Sequence, residues 1–247
     1  ARNNYEQGLM RKSGSISAKA LRRALEGSKA GVTELEVDQL VQREIYKLGG
    51  DLSYKTVPGY KYATCITVND EVVHGIPTER QFAIGDLISV DLAVMYKGWH
   101  TDCAWTVLLG KDSEKENFLK VGEQALWDGI EKAISGNRVG DISAAIQKRV
   151  EGGGYNVVRR LVGHGVGRSL HEDPQIPGVG VAGKGMLLKS GMGLAIEVIY
   201  TLGKKDVVLG SDGWTFKTSD GSWGGLFEMT VLVGQKQAEI LTDWRQA

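Results

Sequence analysis

Gly85-Asp86-Leu87-Ile88-Ser89-Val90-Asp91 is matched later in the chain by Gly191-Met192-Gly193-Leu194-Ala195-Ile196-Glu197, each segment carrying an acid six residues after its first glycine. Aliphatic and β-branched residues predict a strand in both copies. The match extends outward on both sides. Gly31-Val32-Thr33, a helix and Gly49-Gly50 correspond to Val139-Gly140-Asp141, a helix and Gly152-Gly153-Gly154. Strands then lead to His74-Gly75 in one half and His164-Gly165 in the other, and each half ends in a Thr-Val-Leu strand, at Thr106 and Thr230. Two copies with a period of roughly 100 residues are too few and too long for a solenoid. They predict an α+β fold of two similar halves facing each other about a pseudo-twofold axis, with a site between them. We expect one domain over residues 1–247, its halves at about 15–112 and 113–242.

Local signals fill in the elements. A helix is predicted from Ile16 to Leu25, and Thr33-Glu34-Leu35-Glu36 is a capping box opening a second helix that Gly49-Gly50 stops. Thr64 to His74 reads as strand broken by an Asn69-Asp70 turn. Strands follow from Leu87 to Val94 and from near His100 to Leu109. Ser113-Glu114-Lys115-Glu116 is a second capping box, for a helix to about Ile134, and a further helix starts at Asp141. More strands are expected at Tyr155–Val162, Gly193–Tyr200, Trp214–Thr218 and Phe227–Val233.

The 247 residues are 42% apolar and 24% charged, ordinary for a globular protein. Thirty basic and thirty acidic residues cancel, so net charge directs the chain toward neither nucleic acid nor an anionic membrane. Two cysteines, Cys65 and Cys103, make no disulfide framework and fit a reducing compartment. The N-terminal residues lack the apolar core of a signal peptide, and no run approaches the ~18 apolar residues of a membrane span. A cytoplasmic location is expected.

The acids carry the chemistry. Asp91 is flanked by apolar residues on its strand, where a carboxylate is expensive to bury unless paired or metal-bound. A hairpin turning at Met95-Tyr96-Lys97-Gly98 would set Asp102 directly opposite it. Glu197 and Glu228 also lie in apolar strands, and their midpoint, Asp212-Gly213, is a hairpin-turn dipeptide. Turn signals at Gly203-Lys204 and Ser219-Asp220-Gly221 weaken that register. Four carboxylates with one histidine suit a pair of divalent first-row ions. Two such ions ~3.5–4 Å apart bind and deprotonate a bridging water and polarise a carbonyl, which is equipment for hydrolysis. Glu197 is assigned to hold the nucleophilic water, and His171 and His74 remain to donate to the substrate carbonyl. The glycines of Gly163-His164-Gly165-Val166-Gly167-Arg168-Ser169-Leu170-His171 are expected to let backbone approach a bound peptide.

From about Glu6 to Thr242 the chain resembles the type I methionine aminopeptidases of the pita-bread fold. The matching pieces are Met10-Arg11, Asn69 through Pro77, Gly85-Asp86 through Asp91, His100-Thr101-Asp102, Gly163 through Arg168, His171-Glu172-Asp173-Pro174, Ile196-Glu197, Asp212 through Thr215, and Phe227-Glu228 before Thr230-Val231. The resemblance implies that Asp91, Asp102, His164, Glu197 and Glu228 bind two metal ions (Co, Mn, Fe or Zn) and that His74 and His171 contact substrate near the scissile bond. It places Tyr60, Cys65 and Trp214 in a methionine pocket, with Tyr54 a further candidate. Leu170 stands where an aromatic is frequent and Leu226 where a glutamine is common. Val198 and Met229 replace a proline and a histidine beside the two glutamates. A compact, monomeric, bacterial-type aminopeptidase is implied, acting on peptide N-termini and nascent chains near the ribosome. Two alternatives remain: an Xaa-Pro aminopeptidase or prolidase with the same ligands, and a pita-bread binding module without catalysis.

Overall fold

The computed structural model describes residues 2–247. Its elements in order are α1 (Asn4–Gly27), α2 (Glu34–Lys47), β1 (Asp51–Leu52), β2 (Thr64–Val68), β3 (Glu71–Val73), β4 (Leu87–Tyr96), β5 (Trp99–Leu108), α3 (Ser113–Ile130) and α4 (Val139–Gly152). Eight strands follow: β6 (Asn156–Val157), β7 (Val162–Gly165), β8 (Glu172–Pro177), β9 (Gly193–Thr201), β10 (Val207–Leu209), β11 (Phe216–Thr218), β12 (Gly224–Leu232) and β13 (Glu239–Ile240).

One ten-stranded sheet runs β1-β4-β5-β12-β9-β7-β8, with β2, β6 and β13 pairing β4, β9 and β12. All the pairings are antiparallel, and the two halves build it alike. In the first, β2 pairs the leading part of β4 and β1 its end; in the second, β7 and β6 do the same for β9. Helix α1 packs on β4 and β5, and α3 on β9 and β12. Strand alternation divides the side chains. Val90, Leu92, Cys103, Trp105, Ile196, Val198, Phe227 and Met229 join the core under the helices, while Asp91, Asp102, Glu197 and Glu228 point to the opposite face. This is the pita-bread fold.

The repeat-related strands β5 and β12 meet at the pseudo-twofold axis, where Ala104 pairs with Glu228. Two buried threonines join the seam there. Thr230 Oγ1 donates to the Asp102 carbonyl at 2.8 Å and accepts from its N–H at 2.9 Å. Thr106 makes the same two bonds to Leu226, at 2.8 and 2.9 Å. The shared Thr-Val-Leu pattern therefore has a cause. Each hydroxyl satisfies a buried backbone donor and acceptor, groups that cost about 1–3 kcal/mol each when left unpaired.

The second hairpin is the longer one. Its register continues from Gly193↔Leu232 through Thr201↔Gly224 to Leu209↔Phe216, bending between Gly203 and Gly221 without slipping. The tip folds over so that β11 pairs β3 of the first half in a second, three-stranded sheet.

Several local expectations need correction. Helix α1 begins at Asn4 because Asn3 and Glu6 form a reciprocal cap, bonded at 2.9 and 3.0 Å, a signal hidden by the sparse apolar residues before Ile16. Helix α3 is capped by Asp112, which accepts from Glu114 and Lys115, not by Ser113, and it ends at Ile130. The strand expected over 155–162 is two short ones, and β8 and β10 carried no alternating pattern strong enough to read. Among the described residues no helix is long and apolar enough to cross a membrane.

Candidate active site

Five side chains arrive from five strands in spatial order. Asp91 lies on β4, Asp102 on β5, Glu228 on β12, Glu197 on β9 and His164 on β7. Glu228 and Glu197 are direct cross-strand partners, as their midpoint predicted. Asp91 and Asp102 are not: Asp91 pairs Ala104 and Asp102 pairs Ala93. The turn is the two-residue Lys97-Gly98, both with positive φ (49° and 77°), rather than four residues centred earlier. A slip of two residues keeps both acids on one face as diagonal neighbours.

Asp102, His164 and Glu228 are buried, with one ligand atom from each within 4.8 Å of the others. His164 Nδ1 lies 2.9 Å from the Gly165 carbonyl, which can only accept, so the proton sits on Nδ1 and the Nε2 lone pair is free. That Nε2 is 4.0 Å from Asp102 Oδ2. Burial, reinforced by His171, lowers the His164 pKa to about 4, so the imidazole is neutral. Asp102 Oδ1 and Glu228 Oε1 are buried without a hydrogen-bond partner. Two acids with orphaned oxygens beside an available imidazole lone pair are the donor set of a divalent cation.

Burial pushes every acid upward. Asp91 rises to about 6, and Glu197 to about 8, through burial and then the Asp91 charge. Asp102 is driven well above the carboxylate range by burial and then by the Asp91 and Glu197 charges, and Glu228 by burial and then by Asp102, Glu197 and Asp91. A cation reverses that penalty, because it stabilises the ionised form of all four.

A cavity of about 150 Å³ holds the four acids with His74, His164 and His171 on one side and an apolar wall of Tyr54, Val57, Tyr60, Cys65, Leu170 and Trp214 on the other. Tyr54 and Tyr60 meet edge-on at 5.6 Å, and Tyr60 meets Trp214 at 5.1 Å. Trp214 belongs to the folded-over hairpin tip, just before β11 rather than within it. Asp212 fixes its backbone, accepting from the N–H groups of Trp214 and Thr215 at 2.9 Å. On the other side, a cleft of about 520 Å³ passes His74, His171, Asp173 and Gln175. His171 stacks edge-on to His164 at 4.4 Å, and both His74 and His171 open to this cleft. Burial lowers both their pKa values, and His171 lowers that of His74 further, so both imidazoles are neutral at pH 7. A larger groove of about 800 Å³ between α3 and α4 contains no histidine and mixes Asp128 and Glu131 with Lys132, Lys148 and Arg149, so we locate the chemistry at the acids.

The structure thus brings every expected site residue to one place and adds Tyr54 firmly to the pocket. Two of the departures lie away from it: Val198 and Met229 point into the core under the helices. Leu170 is in the pocket wall, and Leu226 packs with Val73 and Ile199 at the cleft. The glycines serve another purpose than expected. A Cβ on Gly163 would stand 2.7 Å from the Ala195 carbonyl, and one on Gly165 2.3 Å from that of Asp173, so they let the protein's own strands approach, not a peptide.

An antiparallel sheet that gathers buried acids and an imidazole beside an open cleft defines a metallopeptidase. The pattern of metallopeptidase family M24 matches residues 8–235, and the chain belongs to that family, which uses divalent metal. It is 42% identical over 238 residues to methionine aminopeptidase 1 of Bacillus subtilis, covering 96% of both chains. The crystal structure of methionine aminopeptidase from Thermotoga maritima superposes with a TM-score of 0.96 at 43% identity over 98% of each chain. Prolidase from Pyrococcus furiosus shares the fold, with a TM-score of 0.78 at 22% identity over 98% of this chain and 64% of its own.

Proposed function

We propose that the protein removes N-terminal methionine from peptides and nascent chains whose second residue is small, using two divalent ions. The observation that carries this is the junction of the acid cluster with an apolar pocket wall of Tyr54, Val57, Tyr60, Cys65, Leu170 and Trp214 in one small cavity. An apolar side chain seated on that wall sets the adjoining peptide bond beside the acids, which supports cleavage after the first residue. Relatives of similar length with the name methionine aminopeptidase support the reading.

The strand order supports this ligand set: Asp102 and Glu228, on the two central strands, would serve both ions, with Asp91 flanking them on one side and Glu197 with His164 on the other. Bound ions of this kind polarise a carbonyl and acidify water. Glu197, ionised beside the cations, would hold the attacking water and accept its proton. His171 and His74, neutral and facing the cleft, donate to the substrate carbonyl and orient the peptide. Tyr54, Tyr60, Cys65, Leu170 and Trp214 hold the methionine side chain. Any of Co, Mn, Fe or Zn suits this donor set. We read residues 1–247 as one catalytic domain acting as a cytoplasmic monomer near the ribosome.

Assay of Met-Ala-Ser and of an Xaa-Pro peptide after addition of Mn²⁺ tests the proposal. Release of methionine from the first is expected; cleavage of the second alone would assign the protein to the prolidase side of the fold, and failure to bind any divalent ion would leave a binding module.

A further inference from the structure

The acid cluster's oxygens are not treated alike. Asp102 Oδ1 and Glu228 Oε1 have no protein donor, but Asp91 Oδ1 accepts the hydroxyl of Tyr54 at 2.5 Å. Tyr54 is buried, and Asp91 is the only acceptor its hydroxyl has among the described residues. Its ring meanwhile forms part of the pocket wall, edge-on to Tyr60. One side chain therefore touches both the specificity pocket and a metal-ligand candidate.

The backbone under Tyr54 is tied to both strands that carry the first-half acids. Tyr54 sits in a single 3-10 turn, Ser53–Thr56, immediately after β1, and β1 pairs β4 at Leu52↔Val94, three residues past Asp91. Ser53 Oγ is 2.7 Å from His100 Nδ1, two residues before Asp102 on β5. Thr56 Oγ1 donates to the Ser53 carbonyl at 2.7 Å, and Val57 N–H donates to the Tyr54 carbonyl at 2.9 Å, closing the turn. The far side of the pocket is pinned in the same way: Tyr60 hydroxyl donates to the Thr64 carbonyl at 2.7 Å and accepts from Cys65 Sγ at 3.2 Å, and Cys65 is the cross-strand partner of Asp91. A phenol held on such a frame fixes the rotation of the carboxylate it binds.

We propose that Tyr54 is a positioning residue that orients Asp91 for the ion on the first-half side and so links that ion's affinity to the wall of the methionine pocket. The proposal rests on the two-ion reading above. Donors to ligating carboxylates typically change metal affinity 10–100-fold when removed. A neutral hydroxyl does this without adding charge to the cluster, and the second half has no counterpart: Glu197 accepts no hydrogen bond from any side chain among the described residues.

Calorimetric titration of metal-free protein with Mn²⁺ tests this, comparing wild type, Tyr54→Phe and Tyr54→Leu. Tyr54→Phe keeps the ring in the wall. We expect the weaker of two dissociation constants to rise about 10-fold or more, with the tighter one unchanged. At saturating Mn²⁺, Tyr54→Leu, which opens the wall, should raise KM for Met-Ala-Ser more than Tyr54→Phe does, and should raise the weaker constant as well. Wild type binding two ions with Tyr54→Phe constants indistinguishable from it would overturn the assignment of Tyr54 alone. Wild type binding a single ion or none would overturn the two-ion reading and this inference with it.

Discussion

The hairpins β4–β5 and β9–β12 are copies that differ in how they turn. The first reverses in two residues, Lys97-Gly98, and sets Asp91 and Asp102 diagonally. The second runs on into β10 and β11, keeps Glu197 directly opposite Glu228, and lays its tip across the first half to bring Trp214 to Tyr60. Asp91 and Glu197 occupy equivalent places, but the other two acids do not: the twofold mate of Glu228 is Ala104, paired with it across the axis. Duplication supplied a symmetric frame, and the site's asymmetry comes from substitution on it. One flank gained a tyrosine-held aspartate, the other a glutamate beside two histidines.

Exchanging the equivalent acids for amides is the strongest way to break that comparison. Glu197→Gln should cut kcat by about 10³-fold, because the amide keeps the shape and loses the base; Asp91→Asn should instead lower the bound Mn²⁺ from two ions to one. Metal analysis beside kinetics reads both, and identical loss of metal in the two variants would erase the functional difference between the halves. His171, on the second-half side only, should be worth about 10²-fold in turnover with metal content intact on substitution to alanine. Loss of metal there would make it a ligand.

The seam threonines test the symmetric part of the comparison. Thr230→Val and Thr106→Val each strand one buried backbone donor and one acceptor and should cost about 2–6 kcal/mol in denaturant melts. Only Thr230→Val should also weaken metal binding, since it releases the backbone of Asp102. Equal effects on metal would show that the seam does not transmit to the ligand.

The smallest expected effect is a pH dependence of the metal-free protein. Folded Glu197, raised from 4.5 to about 8, holds a proton that the unfolded chain has already lost, so stability falls as pH rises through that window. The lowered histidines act oppositely, but only up to their ordinary 6.5, where the unfolded chain stops binding protons. Between pH 7 and 8 the carboxyl effect stands alone. The melting temperature in chelator should fall across that interval, and Mn²⁺ should cancel the fall; a rise in chelator would contradict a protonated Glu197.

Asp91, Glu197 and Glu228 were legible because each interrupts an apolar strand, Asp102 only by counting across the hairpin from Asp91, and the halves because their glycines, capping boxes and Thr-Val-Leu endings recur in order. Trp214 was legible only through resemblance, since nothing local says that the tip of β10 and β11 folds across to the other half. Strand β8 was hidden because Glu172, Asp173 and Pro174 do not look like strand residues; it is an edge strand beside β7, where a proline is tolerated.

By itself the sequence determined the two-half α+β frame, the face on which the acids lie and the metal chemistry they demand, because alternation and burial cost act over a few residues. Tertiary structure decided the register within the first hairpin, the bond from Tyr54 to Asp91, the free Nε2 of His164 and the placement of Trp214 in the pocket wall. Each of these depends on where a turn or a distant strand brings two atoms, and a single residue of slip there exchanges one face of a sheet for the other.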